Sequence, residues 1–154
     1  MRMFETAASS MLAIAAQALD VVRKDRSPPR LMHGDWSAAN VRFSQTQLLA
    51  VYDWDSLIFA PMSRAVGVAA ATWSSSGGSG EPIAPSASEV AEYVREFESV
   101  SGRFSDVERQ AAHANALYCL AYTARCEHAL GVDGGGRRRA RARLLAEGTA
   151  LLWR

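Results

Sequence analysis

One short stretch of the sequence concentrates side chains that could bind a cation and move a proton. Asp35 and Asn40 follow His33 in the run His-Gly-Asp-Trp-Ser-Ala-Ala-Asn, and Asp53 ends an apolar run further on. Magnesium is usually held by one or two carboxylates together with the phosphates of a substrate. A further carboxylate can orient an attacking hydroxyl and accept its proton, so these residue types point to phosphoryl transfer.

The residues between these side chains predict how they are brought together. Apolar and polar residues alternate over 41–44, which is typical of a half-buried strand, and the continuous apolar run 48–52 predicts a second, more buried strand. An antiparallel hairpin of these strands would place Asn40 and Asp53 about 5 Å apart, one strand spacing. Asp35 would lie on the loop just before that end of the hairpin.

The rest of the chain is predicted to be mainly helical. Periodic apolar residues predict a helix over 4–23, and residues 31–33 fit a short strand or turn. After Pro61 the pattern predicts four more helices, over 61–73, 86–100, 105–131 and 137–153. Two of these begin with a capping box, formed by Ser86 with Glu89 and by Ser105 with Glu108. Stretches rich in serine, glycine and proline predict loops at 74–85 and 134–136.

Composition narrows the possible partners and surroundings. The chain has 154 residues, enough for one domain, and its formal net charge of +1 gives no electrostatic reason to expect nucleic acid or an anionic membrane as partner. We find no signal-peptide pattern and no apolar run long enough to span a bilayer. Cys119 and Cys126 form no Cys-x-x-Cys motif and are expected to be reduced. These features predict a cytoplasmic protein.

The combination of motifs resembles the aminoglycoside phosphotransferase and choline kinase family. His-Gly-Asp with an asparagine five residues after the aspartate, then an apolar strand ending in Asp-x-Asp, is similar to the catalytic loop and metal-binding motif of protein kinases. The resemblance implies a mainly α fold with a small antiparallel β-hairpin, the C-terminal helical lobe of a protein-kinase-like fold. Residues 31–55 would form the catalytic loop and metal-binding hairpin, and residues 61–154 the helical subdomain.

The resemblance also implies a role for each residue of the motif. Asp35 would be the catalytic aspartate, and His33 would hold the backbone around it. Asn40 and Asp53 would bind Mg²⁺, with Asp55 as a further carboxylate that assists metal binding or braces the loop. The implied activity is ATP-dependent transfer of the γ-phosphate to a hydroxyl of a small molecule, with Mg²⁺ as cofactor and ATP as co-substrate.

The sequence departs from this family in the region that should bind the nucleotide. The family's N-terminal lobe supplies a glycine-containing loop and a strand lysine, whereas the single lysine here, Lys24, precedes a turn with two prolines. The glycine-rich runs 77–80 and 134–136 lie downstream of the catalytic loop and fit flexible linkers better. We therefore expect one domain over 1–154 with the N-terminal lobe absent, as a truncated form or one completed by a partner chain, and weak or no binding of ATP.

Two alternative functions remain open at this stage. The first is a catalytically inactive remnant or interaction module with the same fold. The second is a phosphatase of the haloacid dehalogenase type, because a strand followed by Asp53-Trp54-Asp55 superficially fits its Asp-x-Asp motif. That class expects threonine or valine where Leu57 stands, and it expects strands and helices in alternation, which the helical pattern after Pro61 disfavours.

Overall fold

The computed structural model describes residues 2–73, 83–131, 139–147 and 150, with side chains described from residue 8 onward. Five α-helices, four short strands and two 3₁₀ turns form this part of the chain. In chain order they are α1 (Arg2–Val22), β1 (Arg30–His33), a 3₁₀ turn (Ala38–Asn40), β2 (Val41–Ser44), β3 (Gln47–Val51), a 3₁₀ turn (Trp54–Ser56), β4 (Leu57–Ala60), α2 (Met62–Thr72), α3 (Ala87–Ser101), α4 (Asp106–Ala129) and α5 (Ala140–Glu147).

Helix α4 is the centre of the hydrophobic core. All residues from Ala111 to Leu117 are buried, and α1, α2 and α5 pack against this helix. Small side chains let the helices approach closely: a Cβ on Gly67 of α2 would lie 2.2 Å from the carbonyl oxygen of Ala112. The core is therefore built from close backbone contacts, which alanine and glycine permit, as well as from larger groups such as Met11 of α1.

The helix boundaries follow the local signals in the sequence. The side chain of Ser86 accepts a hydrogen bond from the Glu89 backbone, and the Glu89 carboxylate accepts one from the Ser86 N–H, so the predicted capping box is confirmed. The same reciprocal pair forms between Ser105 and Glu108 at the start of α4. Helix α3 ends at Gly102, whose φ of 98° suits glycine.

The strands form two sheets of two antiparallel strands each. The predicted hairpin is present as β2 and β3, with Val41 opposite Val51. The prediction missed β4, which pairs with β1 so that Leu31 lies opposite Phe59. The four residues of β4, just before Pro61, are too few to show a clear periodic pattern. Their partners in β1 lie 24 or more positions away, so local patterns do not predict this strand.

Both hairpin strands are more exposed than the apolar pattern predicts, although Ala50 and Val51 leave β3 somewhat more buried than β2. Leu48 and Leu49 of β3 expose 45% and 54% of their surface, and Phe43 of β2 exposes 48%. The two strands make their main contacts with each other and with the 3₁₀ turn before β2, rather than with a described helix. An apolar run shows that a strand could be buried, but burial also needs an element to cover it.

The expected fold class is confirmed as mainly α with small antiparallel sheets. The described residues leave out 74–82 of the loop predicted at 74–85, the whole loop predicted at 134–136, and parts of the helix predicted over 137–153. Cys119 and Cys126 are free thiols on α4, both partly buried. Among the described helices, none combines the length and apolar character that a membrane span requires.

Candidate catalytic and metal-binding site

His33, the last residue of β1, links the catalytic loop to the hairpin. Its Nδ1 accepts a hydrogen bond of 3.2 Å from the Asp35 N–H, and its Nε2 lies 2.8 Å from the carbonyl oxygen of Tyr52. Because Nδ1 is the acceptor, Nε2 carries the proton and donates to Tyr52. One imidazole ring thus fixes the backbone at Asp35 relative to the end of β3.

Two tryptophans hold this imidazole ring from the side. Trp36 and Trp54 meet His33 in edge-to-face geometry, with ring centroids 5.9 and 5.8 Å from that of His33. The indole N–H of Trp54 donates to the carbonyl oxygen of Val51, although 59% of the Trp54 surface is exposed. The aromatic contacts limit rotation of the histidine and therefore support the loop that carries Asp35.

Asp35 and Asn40 are in direct contact. The side-chain amide nitrogen of Asn40 donates to the backbone oxygen and to the carboxylate Oδ2 of Asp35, both at 2.9 Å. Asn40 itself is held in a 3₁₀ turn, where its N–H donates to the carbonyl oxygen of Ser37, a buried residue. Both side-chain bonds use Nδ2, so neither occupies the amide oxygen of Asn40, which is the atom that would bind a cation.

The backbone brings Asp53 to the same end of the hairpin. The Tyr52 N–H donates to the Asn40 carbonyl oxygen at 2.8 Å, so the residue before Asp53 is tied to Asn40. Asp53 adopts a left-handed backbone conformation, with φ 62° and ψ 46°. Such a conformation is uncommon for a residue other than glycine, costs about 1 kcal/mol or more, and is often found at functional sites.

Hydrogen bonding favours the ionised form of Asp53. The Ser56 hydroxyl donates to Asp53 Oδ2 at 2.5 Å, and this bond is the main reason why the pKa of Asp53 is lowered. The nearby His33 acts in the same direction. Asp55 lies in the exposed 3₁₀ turn that follows Asp53, beside it in space as well as in sequence.

Ser56 is a site residue that the sequence interpretation missed. Its hydroxyl fixes the Asp53 carboxylate, and its carbonyl oxygen accepts a hydrogen bond of 2.7 Å from the Gly34 N–H. A Cβ on Gly34 would lie 2.7 Å from that same oxygen, so glycine is needed here for close approach. A serine three residues after an aspartate is a recognisable turn signal, but its contact with Gly34 depends on the pairing of β1 with β4.

The donor atoms fit a hard cation of the magnesium type. Asn40 offers an amide oxygen, and Asp53 offers an exposed, ionised carboxylate, which are the ligand types that magnesium accepts. Within the described residues, no three or more His, Cys, Asp or Glu side chains gather into a complete metal site. Magnesium in phosphotransferases is completed by substrate phosphates and water, so two protein ligands at one hairpin end are compatible with it.

Comparison with known proteins agrees with the class that this loop and hairpin suggest, a phosphotransferase. The family model described as "Phosphotransferase enzyme family" matches residues 4–109, which is more than half of the chain and includes every predicted site residue. The chain belongs to this family. Searches of curated proteins and of solved structures gave no match.

Proposed function

We propose that this chain carries the catalytic centre of an ATP-dependent phosphotransferase of the aminoglycoside phosphotransferase type, acting on a hydroxyl of a small molecule. The observation that carries the proposal is the contact between Asp35 and Asn40, together with the hydrogen bond that ties Asn40 to the end of β3. Asp35 is then the base, and Asn40, one of the residues expected to hold magnesium, is in direct contact with it.

The proposed reaction moves one phosphoryl group and one proton. The acceptor oxygen forms a bond to the γ-phosphorus while the bond from that phosphorus to the bridging oxygen breaks, which releases ADP. Asp35 orients the acceptor hydroxyl, takes its proton and returns it to water. Magnesium, when held by Asn40 and Asp53 with help from Asp55, would offset the negative charge of the phosphates.

His33 acts in this proposal as a positioning residue. It bonds to the backbone of Asp35 on one side and to Tyr52 on the other, so it sets the distance between the base and the metal ligands. The transition state of phosphoryl transfer depends mainly on positioning and charge stabilisation. Small displacements of this loop should therefore lower the rate strongly.

We further propose that most contacts to the nucleotide come from an N-terminal lobe, in the same polypeptide or in a partner chain. Lys24, the single lysine, is exposed just after α1, where its N–H donates to Val21 in a turn. That placement suits neither a strand lysine nor a phosphate clamp. Residues 1–154 alone should therefore bind Mg-ATP weakly, and titration calorimetry tests this directly: micromolar affinity would contradict it.

Transfer of label from γ-phosphate-labelled ATP to a panel of small alcohols tests the activity itself. We expect Asp35→Asn to lower the rate by about 10²–10⁴-fold, the range typical for loss of a general base, with the fold intact by circular dichroism. Asp20→Asn is the matched control, since Asp20 is an exposed residue of α1. Equal rates for Asp35→Asn and wild type, or no transfer to any acceptor with an N-terminal lobe present, would contradict the proposal; the latter would favour an inactive module.

A further inference from the structure

A groove opens beside the catalytic loop, and no role has yet been assigned to it. It has a volume of about 480 Å³ and lies between β1, β4, α2 and α3. His33 forms part of its wall, and the backbone N–H of Asp35 is bonded to that same ring. The groove is therefore continuous with the loop that carries the proposed base, and its volume is in the range of small-molecule sites.

The lining of the groove is apolar and aromatic. Its aromatic side chains come from the catalytic loop, from the turn after Asp53 and from α3. They are Trp36, Trp54, Tyr93 and Phe97. Aliphatic side chains from β1, β4 and α2 complete the walls. None of the described lining residues is an aspartate, glutamate, lysine or arginine.

The polar groups in the wall offer no negative charge to a cation. The Tyr93 phenol is uncharged at neutral pH, and burial, with a smaller effect of Glu96, raises its pKa further above the ordinary 10. His33 uses both ring nitrogens in hydrogen bonds to the backbone of Asp35 and Tyr52. A cationic ligand would therefore lose water without gaining a carboxylate partner in this lining.

Part of the aromatic surface is already used inside the protein. Phe97 stacks on Phe104 with ring centroids 5.6 Å apart, and each of the two tryptophans makes one edge-to-face contact with His33. A cation–π cage needs several ring faces directed at one point. In contrast, removal of apolar ligand surface from water in the groove is favourable whatever the ring orientation.

We propose that this groove binds the body of the phosphate acceptor, and that the acceptor is a neutral alcohol with an aromatic or alicyclic body. The inference rests on the proposed function, since the hydroxyl must reach Asp35 from the His33 end of the groove. The apolar body would supply binding energy, while the loop would select the hydroxyl that reacts.

The contributions of the apolar body and of ligand charge to binding can be separated with two probes that share one ring system. These are 2-(2-naphthyl)ethanol and 2-(2-naphthyl)ethylamine. Ligand-observed NMR with the full chain measures binding of each without any need for ATP. We expect the alcohol to bind saturably and about tenfold more tightly than the protonated amine. Equal or tighter binding of the amine would overturn the neutral-acceptor inference and favour a cationic acceptor.

A variant that fills the groove shows where the probe binds. Ala65 on α2 lines the groove, whereas its neighbour Arg64 is exposed and lies outside the lining. We expect Ala65→Phe to weaken binding of the alcohol about tenfold or more and Arg64→Phe to leave it unchanged. Unchanged binding in a folded Ala65→Phe protein would overturn the inference. If that variant does not fold, Ala65→Leu replaces it, with a smaller loss expected.

Transfer assays distinguish failure of this inference from failure of the proposed function. If Asp35-dependent phosphorylation occurs with a polyamine sugar such as kanamycin but not with the naphthyl alcohol, the activity stands and the groove assignment is overturned. If the alcohol binds in the groove but no acceptor is ever phosphorylated, the proposed function fails and the acceptor role fails with it. Phosphorylation of the alcohol, lost in Ala65→Phe, supports both.

Discussion

The helical body and the sheet region of this protein are built in opposite ways. In the body, α4 is buried along much of its length, and Gly67 and Ala112 bring two helices into close backbone contact. In the sheet region, Leu31 and Phe59 expose 67% and 72% of their surface even though they pair across β1 and β4. Stability therefore resides mainly in the helices, whereas the candidate site is held by a few hydrogen bonds at their edge.

This difference separates two kinds of mutation. A change in the body should alter the free energy of unfolding, because it disturbs packing that many residues share. A change at the site should alter the reaction while the protein stays folded, because Asp35, Asp53 and Asp55 are exposed and support little of the core. Substitutions in each region test that separation.

The largest effect on the reaction, after that of Asp35, is expected from the proposed metal ligands. Asp53→Asn removes the carboxylate charge and should lower transfer by about 10²–10³-fold, as is typical for loss of one electrostatic contact to the transition state. Asp55→Asn, at the neighbouring exposed carboxylate, should cost about tenfold or less. Rates measured at saturating magnesium check the order, and a larger loss for Asp55→Asn would reverse the assignment of the two residues.

The largest effect on stability is expected at Gly67. Gly67→Ala places a methyl group 2.2 Å from the carbonyl oxygen of Ala112, so α2 and α4 must separate. We expect a loss of about 2 kcal/mol in the free energy of unfolding, since overpacking typically costs 1–3 kcal/mol. Urea denaturation measures this loss.

Gly34→Ala is the matched substitution in the sheet region. It should destabilise by about 1 kcal/mol, because one close contact is with the movable Ile58 side chain and the other with the Ser56 carbonyl oxygen. Its loss of transfer activity should exceed that of Gly67→Ala, since the displaced turn fixes Asp53. A larger loss of transfer activity in Gly67→Ala than in Gly34→Ala would show that the two regions are not separate in function.

A smaller effect is expected from pH in the helical body. Glu98 is held by hydrogen bonds from Arg109 and from the Phe104 N–H, with the Arg109 contact as the main cause that lowers its pKa below the ordinary 4.5. A lowered folded-state pKa stabilises the fold above the unfolded pKa, and that stability is lost as pH falls through the folded-state value. Wild type should therefore lose its advantage over Glu98→Gln below about pH 4.5.

Melting temperatures recorded between neutral and acidic pH check this expectation. Glu92→Gln, at an exposed position of the same helix, serves as the control. A stability difference between wild type and Glu98→Gln that stays constant down to acidic pH would show that the carboxylate charge does not contribute.

The sequence predicted the helical body better than the sheets, for physical reasons. Capping boxes such as Ser105 with Glu108 are local, so a helix start can be identified from four residues. Strand β4 depends on a distant partner, and the exposure of Leu49 depends on which elements cover it, so neither is encoded locally.

The candidate site also has features that the sequence predicts and features that it does not. The types and spacing of Asp35, Asn40 and Asp53 were enough to propose their chemistry from the sequence. The bridge from His33 to Tyr52 and the contact of Ser56 with Gly34 could not be predicted, because both depend on how β1, β3 and β4 are placed. The apolar groove was missed as well, since its walls come from four elements that are separate in sequence.

The most direct test is whether one divalent cation binds beside Asp35, Asn40 and Asp53. Mn²⁺ can replace Mg²⁺ as a paramagnetic probe, and it broadens the NMR signals of nearby amides even when it binds weakly. We expect titration to broaden the amides of Asp35, Asn40 and Asp53 first, and the Asp53→Ala variant to lose this effect. Broadening centred elsewhere, or unchanged in Asp53→Ala, would contradict the proposed site.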